Sequence, residues 1–494
     1  MTGYTIGIDV GTTGTKTVVL DVQGGIVAQA SRTSELFSPM PGWAEADPRV
    51  WYRNVVESIA EAVTSAGIDR RDVLAIAASG MVPAVVAVDA AGTPLRHAIL
   101  QNDARAIDEI DEVSAALAGV DVVALTGSAI TQQSVAPTAR WLRRHEPEVW
   151  ARTAALVGSY DWVLMALGAP PHVELNWAIE SGLFSLDLQL LTRAVEIAGL
   201  EPDRLPPVLS PGTKAGNLNR SAAEATGLAV GTPLIVGGAD HVLSAFAAGV
   251  ERPGDFLIKL GGAGDILAAT DDPIVDPRLY LDAHPIPGRW LPNGCMATSG
   301  SLIRWFQALV GGEDLVRLDD EAAERAPAEV LCLPYFLGEK SPLHDPNLRG
   351  AFVGLHLGHT RADMYRSVLE AIAFGFRHHV EVFGEIGVAL QRAMVTNGGS
   401  KSVLWKQIHA DVLGTELYPV VDHPGASLGA ALIAGIGVEA IDGWTDTKRF
   451  LTLGEAVRPD GGRAARYDEA YDQWRALGAA VTPISHAISG RTRP

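Results

Sequence analysis

The chain has 494 residues, a formal net charge of −19 and 47% hydrophobic residues. That length suits two large domains, and the apolar content suffices for two buried sheets. No apolar run reaches the ~20 residues that span a bilayer as a helix, and an acidic chain without a Lys/Arg block is a poor partner for nucleic acid or for anionic membranes. An acidic protein still binds a polyphosphate where backbone N–H groups and a metal ion offset the charge locally. Two cysteines, Cys295 and Cys332, are too few for a disulfide framework or a zinc ribbon and read as reduced, buried thiols. The start lacks a basic signal-type segment and reads as a strand, which predicts a cytoplasmic protein.

Residues 6–10, 17–20 and 26–30 are apolar runs separated by Gly11-Thr-Thr-Gly-Thr-Lys16 and Asp21-Val-Gln-Gly-Gly25. This pattern predicts three antiparallel strands joined by tight turns. A helix is predicted to open with Asp47 as N-cap and Pro48 at its first position. Val55, Ile59 and Val63 then share one helical face. Residues 73–77 and 84–88 read as further strands. At mid-chain a strand at 255–260, a turn at 261–264 and a strand at 265–269 repeat the opening pattern. The repeat predicts two similar α/β domains, residues 1–248 and 249–494, with a hinge around 250–254. One continuous, strand-swapped domain is the alternative. The polar end, 489–494, is the one segment that reads as disordered.

Asp9-Val-Gly-Thr-Thr-Gly-Thr-Lys16 is the first candidate site. Gly11 and Gly14 let the backbone turn tightly. Successive N–H groups and the hydroxyls of Thr12 and Thr13 then face one concavity, which suits phosphate oxygens. Asp9 ends a strand, where it could hold Mg²⁺ directly or through water, and Lys16 adjoins the loop. The spacing is neither a Walker A loop nor a dinucleotide fingerprint, and an ordinary glycine hairpin is the plain alternative. The second candidate is Gly237-Gly-Ala-Asp-His241, after the buried-strand run 233–236. Asp240 follows two glycines at a strand end, where a base must stand to reach a substrate hydroxyl. The same residue suits the N-cap of a helix opening at Val242, and the two roles coexist. His241, beside it, reads as a sugar ligand. Asn397-Gly-Gly-Ser400 and Gly425-Ala-Ser-Leu-Gly-Ala-Ala431 permit close approach of a flat ligand such as adenine, or serve as a loop and as tight helix–sheet packing. Trp43, Trp51 and Tyr52 read as core rather than as a sugar-stacking platform.

Further motifs run through the chain in a fixed order. Gly42-Trp43-Ala-Glu45-Ala-Asp47-Pro48 comes first, then Ala136-Pro137 through Trp141 to His145-Glu-Pro147. Gly338-Glu-Lys-Ser-Pro342 precedes Gly350-Ala-Phe352-Val-Gly354-Leu355, which is followed by Asp363-Met364 and Ser367-Val-Leu-Glu370. Together with the glycine sites, this set resembles the FGGY carbohydrate kinases of the actin/hexokinase/Hsp70 ATPase superfamily. The resemblance implies an α/β fold of two ribonuclease-H-like, actin-like ATPase domains with an inter-domain cleft. It implies ATP and Mg²⁺ as cofactors. Asp240 would be the catalytic base and Asp9 the metal-associated aspartate. Gly11, Thr12 and Thr13 would form the first phosphate loop, and Gly261, Gly262 and Gly264 the second. Gly398, Gly399 and Ser400 would face the adenosine. Met81, Val82, Asn102 and Asp103 would line the sugar pocket.

The chain departs from that family in places. The usual second loop is Gly-Thr-Ser/Thr-Gly, and here it is Gly261-Gly262-Ala263-Gly264, which lacks two hydroxyl donors. Thr138 replaces a usual lysine. Where xylulokinases carry Gln-Met-His-Gly, this chain has Gly80-Met81-Val82-Pro83, and Gln101 replaces a Trp. His241 stands where Asn is common. The phosphate machinery is mostly kept while the sugar pocket is rewritten. The expected activity is xylulokinase-like, ATP-dependent phosphorylation of a small ketose or polyol on a terminal hydroxyl, and a homodimer is compatible with it. The alternative is a catalytically weakened sugar- and nucleotide-binding regulator of the same fold, favoured by the thinned second loop and opposed by Asp9 and Asp240. An Hsp70-like chaperone would need an appended substrate domain, and none is visible in the sequence.

Overall fold

Each half of the chain builds one six-stranded sheet. The computed structural model describes residues 3–490. Of the polar end, residues 491–494 lie outside the described residues, while Ser489 closes the last helix. The first sheet uses β1 (Tyr4–Gly11), β2 (Gly14–Asp21), β3 (Gly25–Thr33), β4 (Val73–Gly80), β5 (Lys214–Asn217) and β6 (Pro233–Ala239). Their order across the sheet is β5-β6-β4-β1-β2-β3. The second uses β7 (Asp255–Leu260), β8 (Gly264–Ala268), β9 (Tyr280–Ala283), β10 (Trp290–Met296), β11 (Arg392–Thr396) and β12 (Leu417–Pro419). Their order is β9-β10-β8-β7-β11-β12.

Set β5 and β9 aside, and the two sheets have one topology. In each, a first strand pairs antiparallel with a second, the second with a third, and two later strands lie parallel on the first strand's other side. The faint repeat in the sequence is therefore a repeat of architecture. Ile6, Ile8 and Val10 alternate onto one buried face of β1, and Thr5 and Gly7 on the other face are buried too, so both faces of the strand are covered. Two hydrophobic clusters follow, one that holds the first sheet together with Leu257, Leu267, Leu291 and Met394 from one face of the second, and one on the second sheet's other face.

Helix α1 (Pro48–Ala66) opens as its sequence dictates. Asp47 accepts a hydrogen bond from the Arg49 N–H, Pro48 occupies the first turn, and Gly67 ends the helix at φ 64°. Trp51, Val55 and Ile59 are fully buried on the face that meets the sheet. Helix α2 (Asp240–Ala247) follows β6 without a loop. Helices α3 (Arg361–Glu385) and α4 (Val403–Leu413) cover the second sheet.

Helix α5 (Ala426–Gly437) belongs by sequence to the second half but packs on the first sheet. The Thr5 hydroxyl donates to the Ala431 carbonyl at 2.8 Å. A Cβ at Gly7 would lie 1.9 Å from the Ser427 carbonyl oxygen, so β1 and α5 meet backbone to backbone. The small residues at 425–431 serve this close packing. Both cysteines are free thiols, Cys332 fully buried and Cys295 partly so. Among the described residues no helix is long and apolar enough to cross a membrane.

Candidate active site

The topology brings the ends of β1 and β6 side by side, with β4 between them. Asp9 sits near the end of β1, in register with Lys16 on β2 and Ser79 on β4. Cross-strand partners share a face of the sheet, so Lys16 stands on the Asp9 side. The N-cap role expected for Asp240 falls to Ala239, because β6 runs on to that residue and Asp240 is the first residue of α2. Its Oδ1 accepts the His241 N–H at 2.6 Å. A cleft of about 1140 Å³ opens here between the two lobes. Asp9, Gly11, Thr13, Lys16 and Asp240 line it from the first lobe. Lys259, Asn397, Gly398, Ser400 and Lys401 line it from the second.

The charges in this cleft set one another. Burial, then the Asp240 charge, push the Asp9 carboxyl up to about 7 against the pull of Lys259 and Lys16. Burial also pushes Asp240 up, but the His241 hydrogen bond and the Lys259 and His241 charges outweigh it, and its carboxyl is held below the ordinary value. Of two neighbouring carboxylates, Asp240 is thus the one kept ionised and ready to accept a proton. The chain has only seven lysines, and four of them, Lys16, Lys259, Lys401 and Lys406, line this one cleft. In a chain of net charge −19 that is a local basic field suited to a polyanion.

The two glycine loops face this space differently. Thr13 is exposed in the first loop, while the Thr12 hydroxyl points to the Met81 sulfur at 3.7 Å. In the second loop the carbonyls of Gly261 and Gly262 are tied down by the N–H groups of Gly300, Ser299 and Ser301. The N–H groups of Gly262 and Ala263 have no protein acceptor among the described residues. Gly264 lines neither cavity; a Cβ there would fall 2.8 Å from the Phe376 ring.

A second cavity of about 590 Å³ adjoins the first at Gly398 and Lys401. Its walls include Ile303, Leu315, Val316, Leu369 and Trp405, with Gly261, Gly262 and Gly399 at its edge. A Cβ at Gly399 would lie 2.1 Å from the Trp405 ring, so only glycine lets the backbone lie on that indole. Ser400 lines the main cleft and donates its hydroxyl to the Asn397 carbonyl at 2.6 Å.

On the other side of Asp240 the expected sugar residues separate. Met81 and Val82 are buried and Asn102 is exposed. Asp103 is committed inside the protein: it accepts the N–H groups of Ala44 and Arg105 and pairs with the Arg105 guanidinium at 2.7 Å. Arg105 in turn lies 3.8 Å over the Trp43 ring. His241 bridges Asp240 and Asp282, with Nε2 2.7 Å from the latter. Burial alone would favour neutral imidazole, but Asp282, Asp240 and Glu180 hold His241 protonated, well above its ordinary value. Glu180, His241 and Asp282 bring their polar atoms within 4.8 Å of one another. Burial, then the Asp282 charge, push the Glu180 carboxyl well above its ordinary value, so the group offers hydroxyls both donors and an acceptor. Asp282 Oδ1 and Gln101 Oε1 are buried with no hydrogen-bond partner among the described residues.

The sequence model of the FGGY family of carbohydrate kinases matches twice, by its N-terminal domain over residues 4–247 and by its C-terminal domain over residues 262–438. The chain belongs to the FGGY family of carbohydrate kinases. The kinase is 42% identical to the xylulose kinase from Rhodospirillum rubrum, whose structure superposes with a TM-score of 0.90 over 97% of this chain and 99% of that one. It is 28% identical to the xylulose kinase of Staphylococcus epidermidis over 96% of each chain. The Plasmodium falciparum glycerol kinase with ADP, at 19% identity and a TM-score of 0.88 over 97% and 98% of the two chains, shares the fold. The protein is a carbohydrate kinase with ATP as its phosphoryl donor.

Sequence reasoning missed Lys259, Glu180 and Asp282. Lys259 had a signal, because it precedes Gly261 by the spacing at which Asp9 precedes Gly11. Glu180 and Asp282 had none, being 102 residues apart and joined only by the fold.

Proposed function

We propose that this kinase phosphorylates a terminal hydroxyl of a small ketose or polyol, xylulokinase-like in substrate class, with Asp240 as the base. The observation that carries this is one cleft that holds Asp9, Asp240 and four of the chain's seven lysines. The substrate oxygen forms the new bond to the γ-phosphorus, and the bond to the β–γ bridging oxygen breaks. ADP leaves with the electron pair, and the hydroxyl proton passes to Asp240. For the loose transition state of phosphoryl transfer, positioning and electrostatics do most of the work.

Mg²⁺ fits the residues present. Asp9 Oδ1 is buried with no partner among the described residues, and Mg²⁺ takes one or two carboxylates, with phosphate oxygens and waters. When bound it would neutralise charge on the phosphate oxygens. The N–H groups of the two glycine loops support a role in cradling phosphates, and the apolar cavity beside Trp405 suits an adenine. Gln101, His241, Glu180 and Asp282 offer hydroxyl-binding groups in place of the histidine and tryptophan of xylulokinases. The relatives named xylulose kinase support a ketopentose among the substrates. Division of the lobes at residue 248/249 is supported by the two family matches, which end at 247 and resume at 262. The regulator alternative is not favoured, because relatives named as kinases match nearly the whole chain.

Coupled ADP release over a panel of pentuloses, tetritols and longer ketoses tests the reading. Asp240→Asn should lower sugar-dependent turnover by roughly 100-fold or more, the scale of losing a positioned base, with nucleotide binding retained. Turnover within a few-fold of wild type would remove Asp240 from the mechanism.

A further inference from the structure

Lys259 repeats the place of Asp9 with its charge reversed. β1 and β7 are the equivalent first strands of the two sheets, and each charged residue lies two positions before the first glycine of its loop, Gly11 or Gly261. Asp9 is in register with Lys16 across the first hairpin; Lys259 is in register with Asp265 across the second. Their parallel neighbours are Ser79 and Thr396, both buried hydroxyls without a partner among the described residues. One lobe thus presents a carboxylate to the cleft where the other presents an ammonium.

The second loop needs such a group. Gly262 and Ala263 leave it with N–H donors alone, where the family usually has two hydroxyls. A phosphoryl group in flight carries its charge on equatorial oxygens, and donors aimed at that charge are where catalysis is made. We propose that Lys259 is the second lobe's contact to the transferring phosphoryl group, taking over from the missing hydroxyls. This rests on the kinase reading above. An ammonium has three donors, and the Lys259–Asp265 distance of 3.5 Å is that of a loose pair, so Asp265 does not exhaust it. Lys259 lines the same cleft as Asp9 and Asp240, from the second lobe's side with Gly398. Burial would strip its proton, but Asp265, Asp240 and Asp9 keep it charged, above the ordinary lysine value. The plain competitor is that Lys259 only neutralises those carboxylates.

Lys259→Met and Lys259→Arg separate the two. With phosphoryl contact, Lys259→Met lowers kcat by roughly 100-fold or more, the scale of losing one transition-state donor. ADP affinity should shift less than about threefold, the pattern of an interaction made in the transition state. Lys259→Arg should keep part of the rate. If Lys259 only neutralised carboxylates, its loss would raise their pKa values, and a higher pH would restore Lys259→Met. Restoration to within about threefold of wild type by a pH rise of about two units overturns the proposal. So does a kcat within about threefold of wild type at the starting pH. A second arm puts the hydroxyls back. A Cβ at Gly262 meets nothing within 4 Å, so Gly262→Thr has room there, and Ala263→Ser adds one hydroxyl to a Cβ already present. In the Lys259→Met background that pair should recover about tenfold of the lost rate, and no recovery counts against the exchange of roles. Should wild type release no ADP with any sugar, the kinase reading fails instead. Lys259 is then scored on binding, where Lys259→Met must weaken a non-hydrolysable ATP analogue more than ADP.

Discussion

His241 Nε2 lies 2.7 Å from an Asp282 carboxylate oxygen, an ion pair that ties the helix bearing the base to a strand of the other lobe. The same imidazole turns its Nδ1 towards Asp240 at 3.4 Å. Asp282 and Asp240 on either side hold the proton on this ring against burial. The protonated ring in turn keeps Asp240 in the form that accepts a proton.

His241→Gln tests this by the sign of its pH dependence. The unfolded histidine titrates near 6.5 and the folded one well above it. The folded protein thus holds the extra proton longer, and this contribution is complete below about 6.5 and lost as pH climbs through the folded value. The Tm gap between wild type and His241→Gln should be widest in acid and neutral buffer and should narrow in alkali. A gap that widens with pH would mean a neutral imidazole.

Asp9 predicts a metal-sensitive acid limb. Its carboxyl is pushed up to about 7, while that of Asp240 is held down, so the loss of kcat/KM on acidification belongs to Asp9. A bound cation competes with the proton, so raising Mg²⁺ should move the limb to lower pH. A limb indifferent to Mg²⁺ would take Asp9 out of the metal site. In metal-free protein the sign for stability is opposite to that of a paired carboxylate. The folded value exceeds the unfolded 3.8, so stability falls as pH rises between 3.8 and about 7. Asp9→Asn should then raise the Tm of the metal-free protein above about pH 7.

Asp103 tests a residue whose sequence and structure suggest different work. Both it and Arg105 are almost fully buried and paired. Breaking a buried pair from one side costs up to about 3–5 kcal/mol, less here because Arg105 keeps Glu45 at 2.7 Å. Asp103→Ala should therefore lower the Tm by several degrees, with Arg105 no longer held over Trp43. A variant of normal Tm with a raised sugar KM would return Asp103 to the sugar.

What the sequence revealed divides by the range of the interaction. Local chemistry was legible: Asp47 and Pro48 start α1, and the glycines at 11 and 261 turn the two hairpins. The motif that best marks the family is largely scaffold. Thr360 and Asp363 cap α3 reciprocally, and Glu370 accepts from the Tyr467 hydroxyl and the Arg366 guanidinium. What was not legible depends on contacts between distant segments. No spacing predicts that α5 returns to the first sheet, that Asp103 is consumed by Arg105, or that Glu180 meets Asp282. Buried polar atoms without a partner among the described residues, such as Gln101 Oε1 and Asp282 Oδ1, carry no sequence signature at all, since a missing partner shows only in three dimensions.

Gly399 gives a prediction that separates the nucleotide cavity from the sugar site. Its backbone lies on Trp405, whose indole is fixed by a 3.2 Å hydrogen bond from Nε1 to the Leu369 carbonyl. An added Cβ would meet that ring at 2.1 Å and the Leu260 Cβ at 2.6 Å. Neither neighbour has room to yield, because Leu260 is a buried strand residue and Trp405 is 2% exposed. Overpacking of this kind costs about 1–3 kcal/mol. The relief open to the chain is to lift the loop 397–400 off the ring and into the two cavities that meet at Gly398. Gly399→Ala should then weaken ADP binding by between about fivefold and about 150-fold, at 1.36 kcal/mol per tenfold. Calorimetric titration with ADP reads this directly. The KM for the sugar should change little, because Asp240, His241 and Asp282 are reached from the other side of the cleft. An ADP affinity equal to wild type, in a variant of unchanged Tm, would show that the loop at Gly399 does not shape the adenine cavity.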